Sequence, residues 1–186
     1  QSWRAAHNYV SMIDYPKNGY RNWQQFLRQV FYRLDTRVDD DTLKGLVRLF
    51  EGHPFKLYRD AKPAVVEAKR FNLRAAIITT IAKFKFERPI QPITRKVDLL
   101  VDGYVARCEK SNPQMLRVAL NRLGLRPQEA VMIGDEPLVD IRVPKGLGMK
   151  AILLDRAGSE TGSSGADGRS RTLVESMHIV KRWLNI

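Results

Sequence analysis

The feature that most constrains the fold is an alternation of short apolar runs and helical segments between residues 58 and 154. The apolar runs occupy residues 74–80, 97–101, 129–133 and 150–154. Parallel strands need long crossover connections, usually helices, so repeated units of this kind predict a parallel sheet covered by helices. We therefore predict an α/β fold with a Rossmann-like parallel sheet core. In such sheets the functional residues follow the carboxyl ends of the strands.

The first third of the chain has helical periodicity instead. Apolar residues recur at spacings of three and four within residues 3–15, 22–35 and 40–51. This pattern predicts three amphipathic helices that need a partner surface. Pro16, Asn18 and Gly19 are expected to separate the first helix from the second. The acidic run that opens the third helix suits the positive end of a helix dipole, and this explains it better than a metal site does.

The remaining segments divide into helices and loops. Helical spacing predicts further helices over residues 61–71, 112–123, 139–147 and 173–184. Residues 83–96 are predicted to form a basic loop. The stretch from Gly158 to Ser170 is rich in Gly, Ser and Asp and is predicted to be an exposed flexible loop.

The charge balance is strongly basic. The 186 residues carry a formal net charge of +12, with a concentration of cations and aromatics in residues 83–96. Cations interleaved with aromatic rings are able to bind phosphate backbones and stack on bases, so nucleic acid or another anionic partner is one interpretation. A solvated basic surface is the other, and we favour it because the sequence carries no helix-turn-helix, zinc finger or similar motif.

The chain has features of a soluble cytoplasmic protein. Cys108 is the single cysteine, so the sequence excludes an intrachain disulfide and suits a reducing compartment. The sequence contains no apolar stretch long enough to span a membrane and no signal peptide at its start. We therefore expect a cytoplasmic location and no membrane partner.

Three polar features follow predicted strands in the order expected for one site. They are Thr79-Thr80, Lys110 ahead of a predicted helix, and Gly134-Asp135 with Asp140 behind it. A hydroxyl group and backbone N–H groups bind phosphoryl oxygens, a lysine neutralises their charge, and carboxylates bind a hard cation such as Mg²⁺. Together these residue types indicate phosphoryl transfer or hydrolysis.

These residues resemble the haloacid dehalogenase (HAD) superfamily over about a hundred residues. A strand ending in Thr79, a lysine before a helix at Lys110, and Gly134-Asp135 followed by Asp140 match the second, third and fourth motifs of that superfamily. Its members are mostly Mg²⁺-dependent phosphatases that form an aspartyl-phosphate. The resemblance implies a HAD-like core over residues 58–186, with residues 1–57 as an N-terminal helical cap.

The resemblance also implies the role of each residue. Thr79 and Lys110 would be catalytic, and Thr79, Thr80 and Lys110 would bind the phosphoryl group of a small phosphorylated substrate. Asp135 and Asp140 would belong to the Mg²⁺ site, Asp140 by supporting the metal or orienting its ligands. The dehalogenase branch of the superfamily works without Mg²⁺, so this pair of carboxylates favours the phosphatase interpretation.

One motif of the family is missing from the sequence. A strand followed by Asp-x-Asp, which carries the nucleophile and the general acid and base, occurs nowhere before residue 58. Residues 97–103 look similar, but they lie between the second and third motifs. We expect the missing strand upstream of Gln1. The alternative is a catalytically inactive HAD-fold protein that binds nucleic acid or another anionic partner through residues 83–96.

Overall fold

The computed structural model describes residues 2–52, 55–159 and 165–185, and it confirms the α/β class with parallel sheets. The strands are β1 (Ala76–Ile78), β2 (Leu99–Val101), β3 (Val131–Gly134), β4 (Lys150–Leu154) and β5 (Gly168–Ser170). The α-helices are α1 (Trp3–Tyr9), α2 (Tyr15–Asn18), α3 (Trp23–Arg33), α4 (Asp40–Glu51), α5 (Ala61–Arg70), α6 (Lys83–Thr94), α7 (Gly103–Ala106), α8 (Pro113–Leu123), α9 (Val143–Gly146) and α10 (Leu173–Leu184).

The described strands form two parallel sheets instead of one. One sheet pairs β1 with β2, and the other has the order β3-β4-β5. Within each sheet the strands run in the same direction, so the carboxyl ends of its strands lie at one edge of that sheet. Within the described residues β1 and β3 are therefore outer strands, each paired on one side.

Burial differs between these outer strands and the centre of the second sheet. No residue of β1 is fully buried, whereas four of the five residues of β4 are buried. Helix α8 connects the two sheets, because Leu116 and Leu120 belong to one apolar cluster with Met132 of β3 and with the partly buried Ile78 of β1. Helix α8 also ends where the sequence predicts, at Gly124, whose positive φ favours glycine.

The N-terminal helices pack around a core of their own. Its buried members come from α1, its extension, α3 and α4: Ala6, Val10, Phe26, Leu27, Val30 and Leu43. The predicted break between the first helix and the second is present at Gly19, but Pro16 does not end the helix. A π-helical segment, Val10–Asp14, continues α1 into α2, and helical structure ends only at Gly19. Pro16 follows directly on a turn in which the Tyr15 N–H donates to the Val10 carbonyl, so the ordinary helix ladder is already interrupted there.

The basic segment at residues 83–96 is mostly a helix, and the loop prediction is wrong. Helix α6 contains Pro89 and Pro92 in its interior. Two apolar residues seven positions apart, Phe86 and Ile93, are buried on one side of it, and this tertiary packing outweighs the helix-breaking tendency of proline. Lys85 is buried as well, so part of this segment is not a solvated surface.

The predicted loop after Gly158 contains a strand at its end. Strand β5 pairs with β4, and the Asp155 N–H donates to the Ser170 carbonyl at 2.8 Å. The Ser170 hydroxyl is buried and lies 2.7 Å from the Ser176 hydroxyl on α10. Pairing with a neighbouring strand, and not local sequence, orders these residues. Residues 160–164 of the same prediction lie outside the described residues.

None of the helices in the described residues is both long enough and apolar enough to span a membrane.

Candidate active site

Lys110 and Asp140 form a partly buried ion pair at the carboxyl edge of the sheets. Their nearest atoms, Lys110 Nζ and Asp140 Oδ1, lie 2.5 Å apart. The Asp140 side chain is 1% exposed and that of Lys110 is 20% exposed. The pair therefore joins the loop before α8 to the segment that follows β3. Because solvent screens it little, removing either partner leaves a poorly solvated charge.

Local backbone structure holds Asp140 in place. Residues Pro137–Arg142 form a π-helical segment after β3, and the Asp140 N–H donates to the Glu136 carbonyl at 2.7 Å. In return Asp140 Oδ2 accepts a hydrogen bond from the Glu136 N–H at 3.2 Å. One carboxylate oxygen thus faces Lys110 while the other binds its own loop.

Gly134 is needed for this arrangement. A Cβ atom on Gly134 would lie 2.2 Å from Asp140 Oδ2 and 2.7 Å from the Asp140 Cβ. Both distances are shorter than any van der Waals contact, so no side chain fits at this position. The glycine before Asp135 is therefore explained by the close approach of the Asp140 side chain, not by a positive φ.

Thr79 lies one residue beyond β1 and continues the pairing with β2. Its N–H donates to the Val101 carbonyl at 3.0 Å, and its hydroxyl oxygen accepts from the Ile81 N–H at 3.0 Å. The hydroxyl hydrogen stays available as a donor. Thr79 and Thr80 are both half-buried at the strand end, which is where a phosphoryl oxygen would be bound in an open α/β sheet.

Asp135 differs from Asp140 in exposure and in partners. It is exposed directly after β3, and among the described residues it makes no hydrogen bond or ion pair. The described residues contain no cluster of three or more His, Cys, Asp or Glu side chains. Magnesium often takes only one or two protein carboxylates and fills its other positions with water and substrate phosphate. The single free carboxylate of Asp135 fits such a site.

The structure brings some of the sequence-predicted residues into contact and leaves others apart. Lys110 contacts Asp140, and Asp135 follows the same strand that positions Asp140. Within the described parts of the chain, no hydrogen bond or ion pair links Thr79 or Thr80 to this group. The two threonines follow β1, and the packing of α8 against β1 and β3 links that strand to the one that precedes Asp135.

Asp102 is a buried polar residue for which the sequence suggested no role. It follows β2, is 2% exposed, and its Oδ2 accepts a hydrogen bond from the Tyr15 hydroxyl at 2.6 Å. Its other oxygen accepts from the Val105 N–H at 2.9 Å and caps α7. Burial and the hydrogen bond to Asp102 raise the pKa of the Tyr15 hydroxyl. One oxygen of Asp102 thus connects the N-terminal helices to the end of β2, and the other caps α7.

The charged residues behind the site form structural ion pairs. Arg156 donates two hydrogen bonds to Asp60, at 2.9 and 3.2 Å, and Asp60 also accepts from the Leu173 N–H. Burial by itself raises the pKa of Asp60, but the hydrogen bonds from Arg156 and Leu173 outweigh it and hold that pKa below its ordinary value. Lys145 pairs similarly with Asp167 at 2.5 Å. These pairs fix the helices around β4.

Sequence comparisons show which family and which relatives this chain is similar to. The family model described as haloacid dehalogenase-like hydrolase matches residues 1–148. The chain is 29% identical over 108 residues to a phosphoserine phosphatase of Thermus thermophilus, an alignment that covers 57% of this chain and 43% of that protein. It is 31% identical over 128 residues to a ribulose-1,5-bisphosphate 5-phosphatase of Halopiger xanaduensis, covering 67% of this chain and 52% of that protein. The chain therefore spans about half the length of these relatives.

Solved structures show the same fold. A HAD phosphatase from Thermococcus onnurineus aligns with a TM-score of 0.67 at 23% identity, covering 95% of this chain and 78% of the other. A 2-haloacid dehalogenase from Pseudomonas syringae aligns with a TM-score of 0.71 at 18% identity, covering 97% and 80%. With a family model that matches most of its length, the chain belongs to the haloacid dehalogenase-like hydrolases.

Proposed function

We propose that this protein is a Mg²⁺-dependent phosphatase that hydrolyses a small phosphorylated substrate through an aspartyl-phosphate. The observation that carries this proposal is the Lys110–Asp140 ion pair, which holds an ammonium group at the segment after β3, the strand that Asp135 follows directly. A fixed cation next to a carboxylate suits a reaction in which phosphoryl oxygens carry negative charge. The two relatives named above are both phosphatases.

Each residue of this chain has a distinct task in the proposed reaction. The Thr79 hydroxyl donates a hydrogen bond to a phosphoryl oxygen, and Thr80 contributes to the same oxygen pocket. Lys110 neutralises the phosphoryl charge. Asp140 is a positioning residue, since one of its oxygens is engaged by Lys110 and the other by the Glu136 N–H.

Asp135 would hold the metal ion. It is exposed at the end of β3 and has no other partner among the described residues, so a hydrated cation would meet no competing interaction there. When bound, Mg²⁺ would supply charge neutralisation to the phosphoryl group. Asp140 would not hold the metal ion itself and would instead orient Lys110.

We propose that the nucleophile lies on a strand between β1 and β3. Each of these strands is paired on one side in the described residues, and both are less buried than β4. A parallel strand inserted there would pair on both sides, and its carboxyl end would lie between Thr79 and Asp135. An Asp-x-Asp sequence at that end, supplied by a segment that is not among these 186 residues, would face the proposed phosphoryl site.

Residues 1–57 are proposed to form the cap over this site. Contacts from the helices to the sheet edge support this proposal, above all the hydrogen bond from Tyr15 to Asp102 and the Lys83 N–H bond to the Tyr15 hydroxyl at 3.1 Å. A cap that closes over the phosphoryl site excludes water and selects the leaving group.

Two other activities have weaker support. Dehalogenases occur among the structural neighbours, but at 18% identity they share the fold alone. Nucleic-acid binding through residues 83–96 would need exposed rings for base stacking. Phe86 is 6% exposed and Phe84 is partly buried against the N-terminal core, so the segment does not present a row of exposed rings for base stacking.

Phosphate release from a panel of small phosphate monoesters tests the proposal. The protein purified from its source should release phosphate with Mg²⁺ and lose that activity when EDTA is added. The same preparation is offered 2-haloacids without metal. Turnover of a haloacid in the absence of Mg²⁺, with no release of phosphate from any ester, would contradict the phosphatase assignment.

A further inference from the structure

A pocket lies between the N-terminal helices and α6. The cavity measures about 180 Å³, and residues from α3, α4 and α6 line it. Its walls are partly aromatic, through Trp23, Phe50 and Phe84, and partly cationic, through Lys85 and Arg88. The rings of Trp23 and Phe50 are stacked, with centroids 4.6 Å apart, and present a flat apolar wall.

Lys85 is the unusual residue of this pocket. It is 8% exposed, and its ammonium group lies 3.5 Å from the centre of the Phe26 ring and 4.8 Å from that of Trp23. Within the described residues it has no carboxylate or carbonyl partner. Ring contacts compensate only part of the cost of removing a charge from water. The buried ammonium group of Lys85 is therefore able to bind an anion that enters the pocket.

The other charged groups around Lys85 leave the pocket cationic. Arg21 and Arg88 line it, and Glu51 is the one carboxylate among the lining residues. His7 approaches from α1, and its pKa is lowered by its burial and further by the charge of Lys85. Glu51 is exposed and does not pair with Lys85 within the ion-pair distance in the described structure. An incoming anion would thus meet three cationic side chains and one exposed carboxylate.

We propose that this pocket binds a small aromatic anion, with its negative group on Lys85 and its ring against the wall formed by Trp23 and Phe50. The volume suits a single ring with one acidic substituent, and the stacked rings favour a flat ligand. The inference rests on these helices alone and does not depend on the proposed phosphatase reaction.

Anion binding at this pocket should be linked to protonation of Lys85. Burial lowers the pKa of Lys85 to about 7, so in the free protein the amine is mostly neutral above that pH. The anion binds the ammonium form, and the complex therefore takes up a proton. Benzoate stays ionised between pH 7 and 9, and burial and Lys85 lower the pKa of His7 from an ordinary value that already lies below this range. The dissociation constant for benzoate should rise by up to about tenfold per pH unit above pH 7.

Calorimetric titration with benzoate tests the proposal, with Lys83→Met as the matched control. Lys83 lies on the same helix but is largely exposed and pairs with Glu87. Lys85→Met should weaken benzoate binding by about tenfold or more, because it removes a charge-assisted contact, whereas Lys83→Met should leave it within about twofold. Benzyl alcohol, which lacks the charge, and inorganic phosphate, which lacks the ring, should both bind the wild type more weakly than benzoate.

A measurement on the wild type tests the proposal even if Lys85→Met does not fold. In NMR spectra the indole N–H resonance of Trp23 should shift as benzoate is added, while that of Trp183 on α10 should not. Equal benzoate affinity in the wild type and in Lys85→Met would overturn the proposal. Binding of inorganic phosphate as tight as that of benzoate, or a Trp23 resonance that does not respond, would do the same.

Discussion

The ammonium group of Lys110 lies 2.5 Å from Oδ1 of the buried Asp140, and this contact joins the connection between β2 and α8 to the loop after β3. The two residues lie in segments that follow strands of different sheets, so the ion pair links the connection after β2 to the end of β3. Asp140 is in turn held by the Glu136 N–H and by the absence of a side chain at Gly134. The end of β3 therefore positions Asp140, and Asp140 in turn positions Lys110.

Replacing Lys110 with alanine should reduce both activity and stability. The variant removes the cation proposed to neutralise the phosphoryl group, and phosphate release should fall by about 10²-fold or more. It also leaves the carboxylate of Asp140 buried without a cationic partner, which typically costs about 3–5 kcal/mol of unfolding free energy. Urea denaturation measures this. Lys145→Ala breaks a more exposed pair and should cost about 1 kcal/mol or less. Unchanged kinetics in Lys110→Ala would remove Lys110 from the site.

Two glycine substitutions separate close packing from helix propensity. Gly134→Ala places a Cβ 2.2 Å from the Asp140 carboxylate and should destabilise the protein by about 1–3 kcal/mol while displacing Asp140. Gly146→Ala places its Cβ in open space at the end of α9 and should be neutral or stabilising by up to about 1 kcal/mol. Thermal unfolding of both variants checks this contrast. Equal melting temperatures of the two variants would show that the loop after β3 rearranges around the new side chain with no loss of stability.

Tyr15→Phe should weaken the link between the N-terminal helices and the sheet. It leaves the buried carboxylate of Asp102 without its hydroxyl donor, at a cost of about 1–3 kcal/mol. The raised pKa of Tyr15 means that its contribution is present below about pH 10, the ordinary tyrosine value, and is lost as pH rises further. Tyr15→Phe should not show this loss of stability above about pH 10. Tyr32→Phe is the control, because the Tyr32 side chain is 79% exposed.

The stability of the protein should rise with pH between about 7 and 10 because of Lys85. Its pKa is lowered to about 7 in the folded state, so the unfolded chain binds the additional proton over this range. Unfolding free energies measured across that range should show this rise in the wild type and in Lys83→Met. Lys85→Met should remove it. A slope that persists in Lys85→Met would assign the effect to other groups.

Strands β1 to β4 and most helices could be predicted because each carries its own local signal. The runs that became β1, β3 and β4 are apolar and end at polar residues, and α8 is bounded by Asn112 and Gly124, which cap it as expected. Helix α6 could not be predicted, because its two internal prolines argue against a helix that only the burial of Phe86 and Ile93 stabilises. Strand β5 could not be predicted either, because its pairing with β4 orders it and its own sequence does not.

The candidate site was predictable in its residue types and less so in its contacts. A strand end followed by Gly134-Asp135 predicts a carboxylate at the sheet edge, and the structure places one there. The pairing of Asp140 with Lys110 depends on a π-helical turn that has no clear sequence signal. The bond from Tyr15 to Asp102 joins residues 87 positions apart, so no local pattern indicates it.

The dependence of phosphate release on Mg²⁺ in wild type and Asp135→Asn tests the central claim most directly. Asp135 is the free carboxylate of the site, so its amide should raise the Mg²⁺ concentration needed for half-maximal activity by about tenfold or more, or abolish activity. Asp41→Asn, an exposed substitution on α4, should leave the Mg²⁺ requirement unchanged. A wild type that releases phosphate in EDTA, or an Asp135→Asn variant with the same Mg²⁺ requirement as wild type, would contradict the account.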